Sequence, residues 1–265
     1  MAPLTKEVTL SHGKTRYLES GSGEPVILIH GAGITGGADD WRPAMDKFGT
    51  GFRFLAPDYF GWPPSDPPLH GTQAFPGMTD YIREFQDVLG LKSSHVIGAT
   101  MGGWTAGLLA YESPNRVDKL ILTGNPGFHG AANARLGQGS APAEDAVKKH
   151  LDNIMASSPE SERAALAKEK ADRAAEPDYM DLYNSMMLTM ADIENRARFN
   201  LLRRLPHFQS ATFFLLGRED PTSGKGEELV KLTPNSRYYV IEEGGHQIHY
   251  ENAQEFCEHA LDFLS

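Results

Sequence analysis

The chain has one cysteine, Cys257, among its 265 residues. A single thiol excludes an internal disulfide framework and fits a reducing compartment. Basic side chains are the scarcer charge. Lys and Arg number 25 against 35 Asp and Glu, a formal net charge of −10. That balance argues against nucleic acid or an anionic membrane as the main partner. No apolar run approaches the ~20 residues that cross a bilayer. The opening MAPLTKEVTLSHG lacks a charged start followed by an apolar core, so no signal peptide is expected. Internal repeats and low-complexity segments are also missing. The expectation left by these absences is a soluble cytoplasmic protein.

What is present suits one large domain with an insertion. Hydrophobic residues make up 40% of the chain, enough for a full core. Residues 5–10 and 14–19 alternate polar and apolar side chains around Ser11-His12-Gly13, which predicts a hairpin at a sheet edge. Residues 25–29, PVILI, form a continuous apolar run, as in a strand buried on both faces. A helix is expected from Asp39 or Asp40, either of which could cap it, to Phe48. Residues 52–56 predict the next strand, followed by the proline- and aromatic-rich DYFGWPPSD. Residues 79–89 have helical spacing, with Thr79 as the expected cap. Residues 117–122, 211–216 and 237–241 predict further strands, 227–232 a short helix, and 252–264 a closing amphipathic helix. Strand–helix alternation implies a mostly parallel sheet with right-handed crossovers.

Between these strands the composition changes. Residues 125–205 contain no convincing strand; 141–175 are charged and alanine-rich, and 178–190 crowd methionine and tyrosine. The expected organisation is therefore an α/β core at 1–124 and 206–265, interrupted by a helical cap at 125–205.

Residues 94–104, SHVIGATMGGW, hold the chemistry. They read as a strand, a sharp turn with glycines two before and two after Thr100, and a helix. This is the pattern of a nucleophile elbow, in which a strained central residue is exposed between closely packed elements. Serine usually occupies the centre; here it is threonine. Asp220 follows a later predicted strand, and His246 follows the last one in Gly244-Gly245-His246. Open α/β sheets place their sites at such strand ends. A hydroxyl is a poor nucleophile until a base takes its proton, which assigns His246. An imidazolium needs an anionic partner that also fixes its tautomer, which assigns Asp220. The oxyanion formed on a carbonyl needs donors. The Met101 N–H and one from the His30–Gly31–Ala32–Gly33 turn can meet it, with Ala32 chosen as the second.

The order nucleophile, acid, histidine is that of the α/β-hydrolases, and the sequence resembles that superfamily over nearly its full length. HGAG, DYFGWPPSD, GATMGGWTAGLLAYESPNRVDKLIL, GREDP and GGHQIHYENAQEF most resemble the meta-cleavage-product hydrolases. Those enzymes hydrolyse carbon–carbon bonds in vinylogous 1,5-diketones. The resemblance implies an α/β-hydrolase fold with an inserted helical cap. It also implies a small-molecule substrate, no metal or other cofactor, and a homodimer or larger homo-oligomer. Thr100, Asp220 and His246 match the triad, and Met101 and Ala32 the oxyanion donors. Arg196 or Arg198 could match an arginine that holds the dienoate. Gly31, Gly33, Trp104, Tyr183, Met187 and Gln247 complete the expected substrate contacts. The chain departs from the family's usual pattern in three places. Ala99 stands for an asparagine before the nucleophile, Gln247 for a tryptophan after the histidine, and Thr100 for serine.

Plainer roles compete for several residues. Thr100 could be structural in an inactive relative. Glu219 competes with Asp220. His249 could sit in the first turn of the terminal helix, bonded to backbone. His30 is expected under the oxyanion turn, and Asp58 in ordering its own proline-rich loop. The 179–190 stripe could be cap core, Arg203 and Arg204 a solvated face, and Cys257 a buried small side chain. The expected function is cofactor-free hydrolysis of an ester-like or vinylogous-diketone substrate by Thr100, Asp220 and His246. Two alternatives stand beside it. One is non-hydrolytic His/Asp base chemistry: dioxygenation, a lyase step or cyclisation. The other is a ligand-binding relative without activity.

Overall fold

A computed structural model describes residues 2–33, 36–62, 64–66, 74–124, 127–128, 140–155, 157–220 and 222–265. The chain opens with β1 (Leu4–Leu10), β2 (Gly13–Gly21) and β3 (Gly23–Ile29). A 3₁₀ turn, Ala38–Trp41, leads into α1 (Arg42–Lys47) and β4 (Gly51–Pro57). There follow α2 (Ala74–Val88), β5 (Ser94–Ala99), α3 (Met101–Glu112) and β6 (Val117–Thr123). The residues described between β6 and the next strand form α4 (Glu144–Ile154), α5 (Glu160–Ala174), α6 (Tyr179–Ala191) and α7 (Ile193–Phe199). The chain closes with β7 (Ala211–Gly217), α8 (Gly226–Leu232), β8 (Ser236–Ile241), α9 (Ile248–Glu251) and α10 (Ala253–Leu264).

The strands form one eight-stranded sheet in the order β1-β2-β4-β3-β5-β6-β7-β8. β1 pairs antiparallel with β2, and β2 with β4; every later pair is parallel. The apolar runs lie in the middle. Every residue of β5 is buried, as a strand covered on both faces requires. Successive strand residues feed opposite layers. Ile27 and Ile29 join the core under α2 and α3, whereas Val26 and Leu28 join the one under α1 and α10. This is the period-two alternation of a pleated strand. α3 is buried all round from Met101 to Ala110, which explains its lack of a polar face.

The chain moves from β3 outward to β4, then returns past β3 to β5. Strand order therefore reverses between β3 and β5, and a crevice opens at their carboxyl ends. Gly31 follows one strand there and Thr100 the other. The inserted helices reach the same edge: the Tyr183 hydroxyl donates to the Ala32 carbonyl at 3.3 Å. Among the described residues, no helix is long and apolar enough to cross a membrane.

Two expected helix starts are corrected. Thr79 does not cap α2 but lies within it, donating its hydroxyl to the carbonyls of Phe75 and Pro76 at 2.9 and 3.0 Å. Pro76 is tolerated because the first turn of a helix needs no N–H there. Neither Asp39 nor Asp40 caps α1. Asp39 pairs with Arg16 and Arg42 at 2.7 and 2.6 Å, and Asp40 accepts from the Gly37 N–H at 3.3 Å within the 3₁₀ turn.

Candidate active site

The elbow is built by close approach. A Cβ on Gly98 would lie 2.4 Å from the Gly102 carbonyl oxygen, and one on Gly102 would lie 2.1 Å from that of Ile29. Only glycine lets β5, α3 and β3 meet so tightly. Between them Thr100 has φ 53° and ψ −112°. Positive φ in a β-branched residue is a strained outlier. The backbone holds it there: Thr100 N–H donates to Thr123 at 2.9 Å, and its carbonyl accepts from Trp104 at 3.0 Å. Met101 begins α3, so its N–H belongs to a first turn that lacks intrahelical acceptors.

The two γ groups of Thr100 face different neighbours. A Cβ on Gly31 would sit 2.3 Å from Thr100 Oγ1. A Cβ on Gly124 would sit 2.9 Å from Thr100 Cγ2 and 3.5 Å from His246 Cε1. The hydroxyl thus points to the turn after β3, and the methyl points to the space beside His246.

Asp220 and His246 meet as the sequence suggests. His246 Nδ1 hydrogen-bonds Asp220 Oδ2. Asp220 is buried, and its other oxygen accepts from the Thr222 N–H at 2.8 Å and from the Thr222 hydroxyl. Burial pushes this carboxyl up, but the bond and charge of His246 and the Thr222 donors outweigh it and hold it low. Acceptance by the carboxylate leaves Nε2 of His246 as the basic nitrogen. Glu219 is exposed and takes no part.

His30 is buried beneath the turn. Its Nδ1 bonds the Gly31 carbonyl at 2.7 Å, and its Nε2 accepts from Tyr59 N–H at 3.1 Å. Three other residues depart from expectation. His249 is buried against Trp41 at 4.3 Å, and among the described residues its Nδ1 has no partner, backbone included. Burial pushes its pKa down to about 4. The Asp58 carboxylate does not order its own loop, but joins Arg16 of β2 to the Ala38 N–H, the latter at 2.7 Å. Arg204 is partly buried over Tyr111 at 5.3 Å rather than solvated. Cys257 is buried as expected, with its thiol pushed far up by burial.

A cavity of about 120 Å³ lies beside Thr100. Gly31, Gly33, Thr100, His246 and Gln247 line it. The other expected contacts do not line this cavity. Trp104 stacks on Phe75 at 4.2 Å and donates Nε1–H to Phe199 at 2.7 Å. Tyr183 and Met187 are buried in the core shared with α2 and α3. Arg196 lies over Trp104 at 5.1 Å and bonds the Met190 carbonyl at 3.4 Å; Arg198 is exposed.

The cavity has residues that sequence reasoning missed: Asp40, Lys170, His150 and His249. Lys170 Nζ pairs with Asp40 Oδ1 at 3.3 Å, with side chains 6% and 12% exposed. A signal for Lys170 was available. It falls on the stripe of α5 marked by Ala167 and Ala174, both buried, where a lysine is out of place unless partnered. Among the described residues, no group of three or more His, Cys, Asp or Glu could hold a metal ion.

A family model described as alpha/beta hydrolase fold matches residues 24–253. The 2-hydroxy-6-oxo-6-phenylhexa-2,4-dienoate hydrolase of Burkholderia cepacia is 27% identical over 275 residues, covering 98% of this chain and 94% of that protein. The 2-hydroxymuconate semialdehyde hydrolase of Pseudomonas putida is 25% identical over 273 residues, covering 98% of this chain and 94% of that protein. Among solved structures, a meta-cleavage product hydrolase from Pseudomonas fluorescens superposes with a TM-score of 0.84 at 24% identity, covering 98% and 97% of the two chains. A 2-hydroxy-6-oxo-6-phenylhexa-2,4-dienoate hydrolase from Rhodococcus gives 0.85 at 20% identity, covering 99% of each.

Proposed function

Because the chain belongs to the α/β-hydrolase fold family, we propose that it cleaves a bond beside a carbonyl in a small molecule. The substrate class is a vinylogous 1,5-diketone, like that in the names of its relatives, or an ester. The observation that carries this reading is the buried Asp220 bonded to His246 beside the elbow residue. A one-step turn about the Thr100 Cα–Cβ bond brings the hydroxyl toward His246. His246 Nε2 takes the proton as Oγ1 attacks the carbonyl carbon. Met101 and Ala32 N–H groups meet the oxyanion. Collapse breaks the bond to the leaving carbon or oxygen, which receives the proton from His246. Water, deprotonated by the same imidazole, then attacks the acyl-threonine; its collapse returns the Thr100 hydroxyl and releases a carboxylic acid. The inserted helices α4–α7 act as a cap over the site.

The rotamer of Thr100 favours a second reading. With its methyl beside His246 and its hydroxyl toward Gly31, Thr100 would only orient a substrate from which His246 removes a proton.

One experiment separates them. The protein is given 2-hydroxy-6-oxo-6-phenylhexa-2,4-dienoate, p-nitrophenyl acetate and a serine-directed phosphonate. Hydrolysis, labelling of Thr100 and a loss of ~10²-fold or more in Thr100→Ala support the nucleophile. Turnover that survives in Thr100→Ala without labelling supports base chemistry. No turnover of either probe refutes the hydrolase proposal.

A further inference from the structure

The turn that carries His246 is tied to the inserted helices by one carboxylate. Glu251 ends α9, five residues after His246, and is half-buried. Its Oε1 accepts from the Gln247 N–H at 3.1 Å, and its Oε2 from the Ser157 N–H at 3.1 Å. Ser157 follows α4, and its hydroxyl donates to the Glu243 carbonyl just before the turn. The His246 N–H donates to the Ile154 carbonyl at the end of α4, at 3.1 Å. A Cβ on Gly245 would lie 2.5 Å from Glu251 Oε1. The second glycine of Gly244-Gly245-His246 is thus explained by the carboxylate that fills the space beside it.

We infer that Glu251 is a positioning residue for His246, locking the histidine turn to the end of α4 so that the imidazole and the inserted helices keep one relative placement. It touches no reacting atom. Its effect runs through the amide of Gln247, the residue next to His246, and through the α4 end that receives the His246 N–H. Burial pushes the Glu251 carboxyl up, while the two amide bonds and the charges of His246 and Arg163 pull it down. Its use for catalysis rests on the function proposed for His246; the lock itself does not.

The test uses the full chain, labelled for NMR, and needs no substrate. Glu251→Ala removes both acceptors. The expected result is amide exchange about tenfold faster at Gln247 and Ser157, the change that loss of one ordinary hydrogen bond brings. The low-field proton signal of the His246–Asp220 bond should also broaden or vanish, with circular dichroism unchanged. Glu251→Gln has one acceptor oxygen, so only one of the two amides should lose protection. Where the hydrolase function holds, kcat for p-nitrophenyl acetate falls in Glu251→Ala while KM stays, and Glu251→Gln restores part of it. Faster amide exchange with an unchanged His246 signal makes Glu251 a loop staple and overturns the positioning role. Should Glu251→Ala fail to fold, undiminished protection of both amides in Glu251→Gln overturns the lock. An unaltered protein that hydrolyses no probe refutes the proposed function and leaves the NMR outcomes to decide this inference.

Discussion

Gly124 offers the sharpest test of how Thr100 is oriented. It follows β6 with φ +63°, and a Cβ there would meet Thr100 Cγ2 at 2.9 Å and the His246 carbonyl oxygen at 3.0 Å. Carbon–carbon contacts are comfortable at ~3.5–4.0 Å. Gly124→Ala therefore carries two separate costs. Left-handed backbone costs alanine ~1–2 kcal/mol. Crowding against Thr100 and His246 adds ~1–3 kcal/mol, as overpacking does elsewhere. We expect a loss of ~3 kcal/mol in urea unfolding, with an unchanged m-value. Thr100→Ser deletes the methyl that the new Cβ meets, while the backbone cost and the contact with the His246 carbonyl remain. The double variant should therefore recover ~1 kcal/mol relative to the sum of the two single changes, within the usual range for touching residues. Far-UV circular dichroism across a urea series measures all four proteins. If the two changes add to within ~0.5 kcal/mol, the methyl does not face Gly124, and the rotamer argument for the site is wrong.

Three further outcomes are expected. His246→Ala should keep its circular dichroism but lose ~10²–10⁴-fold in hydrolysis; near-normal turnover would remove His246 from the chemistry. His249 is buried neutral with its pKa near 4, against 6.5 unfolded, so the unfolded chain binds the extra proton and stability falls as pH drops from 6.5 toward 4. Between pH 7.5 and 5 this group alone removes ~2 kcal/mol, so His249→Phe should flatten the unfolding-versus-pH curve by that amount, and identical slopes would refute it. Met187 lies 3% exposed in the core, so Met187→Ala should cost ~2–5 kcal/mol in urea unfolding; a changed preference between substrates with stability intact would make it a cleft residue instead.

Elements whose local pattern and burial agree were legible in the sequence. The apolar runs of β3 and β5 have two covered faces, whereas the alternation of β1 reflects a mostly exposed edge strand. The elbow glycines were readable because their need is steric and local. The Asp220–His246 pair followed from the order of strand ends, since a parallel sheet brings those ends together. The cavity wall was not readable. Lys170 and Asp40 are 130 positions apart, and nothing local to either names the other. The helix starts failed for a related reason. Asp39, Asp40 and Thr79 are all good caps in isolation, but Arg16 and Arg42 claim Asp39, Gly37 N–H and Lys170 claim Asp40, and the α2 carbonyls claim Thr79. Asp58 likewise serves a strand and a turn distant in sequence rather than its own loop.

The ion pair between Lys170 and Asp40 has a consequence for how the inserted helices can change over time. Both charges are almost out of water. Such a pair adds little net stability, because its attraction mostly offsets the cost of burial, yet removing the lysine leaves the buried Asp40 carboxylate without this cation, at a cost of ~3–5 kcal/mol. Positions 40 and 170 are therefore expected to change together. A lone loss of Lys170 is penalised because it leaves a buried carboxylate behind. Shielded from solvent, the attraction is also largely indifferent to ionic strength. The seat of α5 on the 3₁₀ turn is thus specified by veto more than by attraction: wrong placements are excluded because they leave the Asp40 carboxylate buried without its cation.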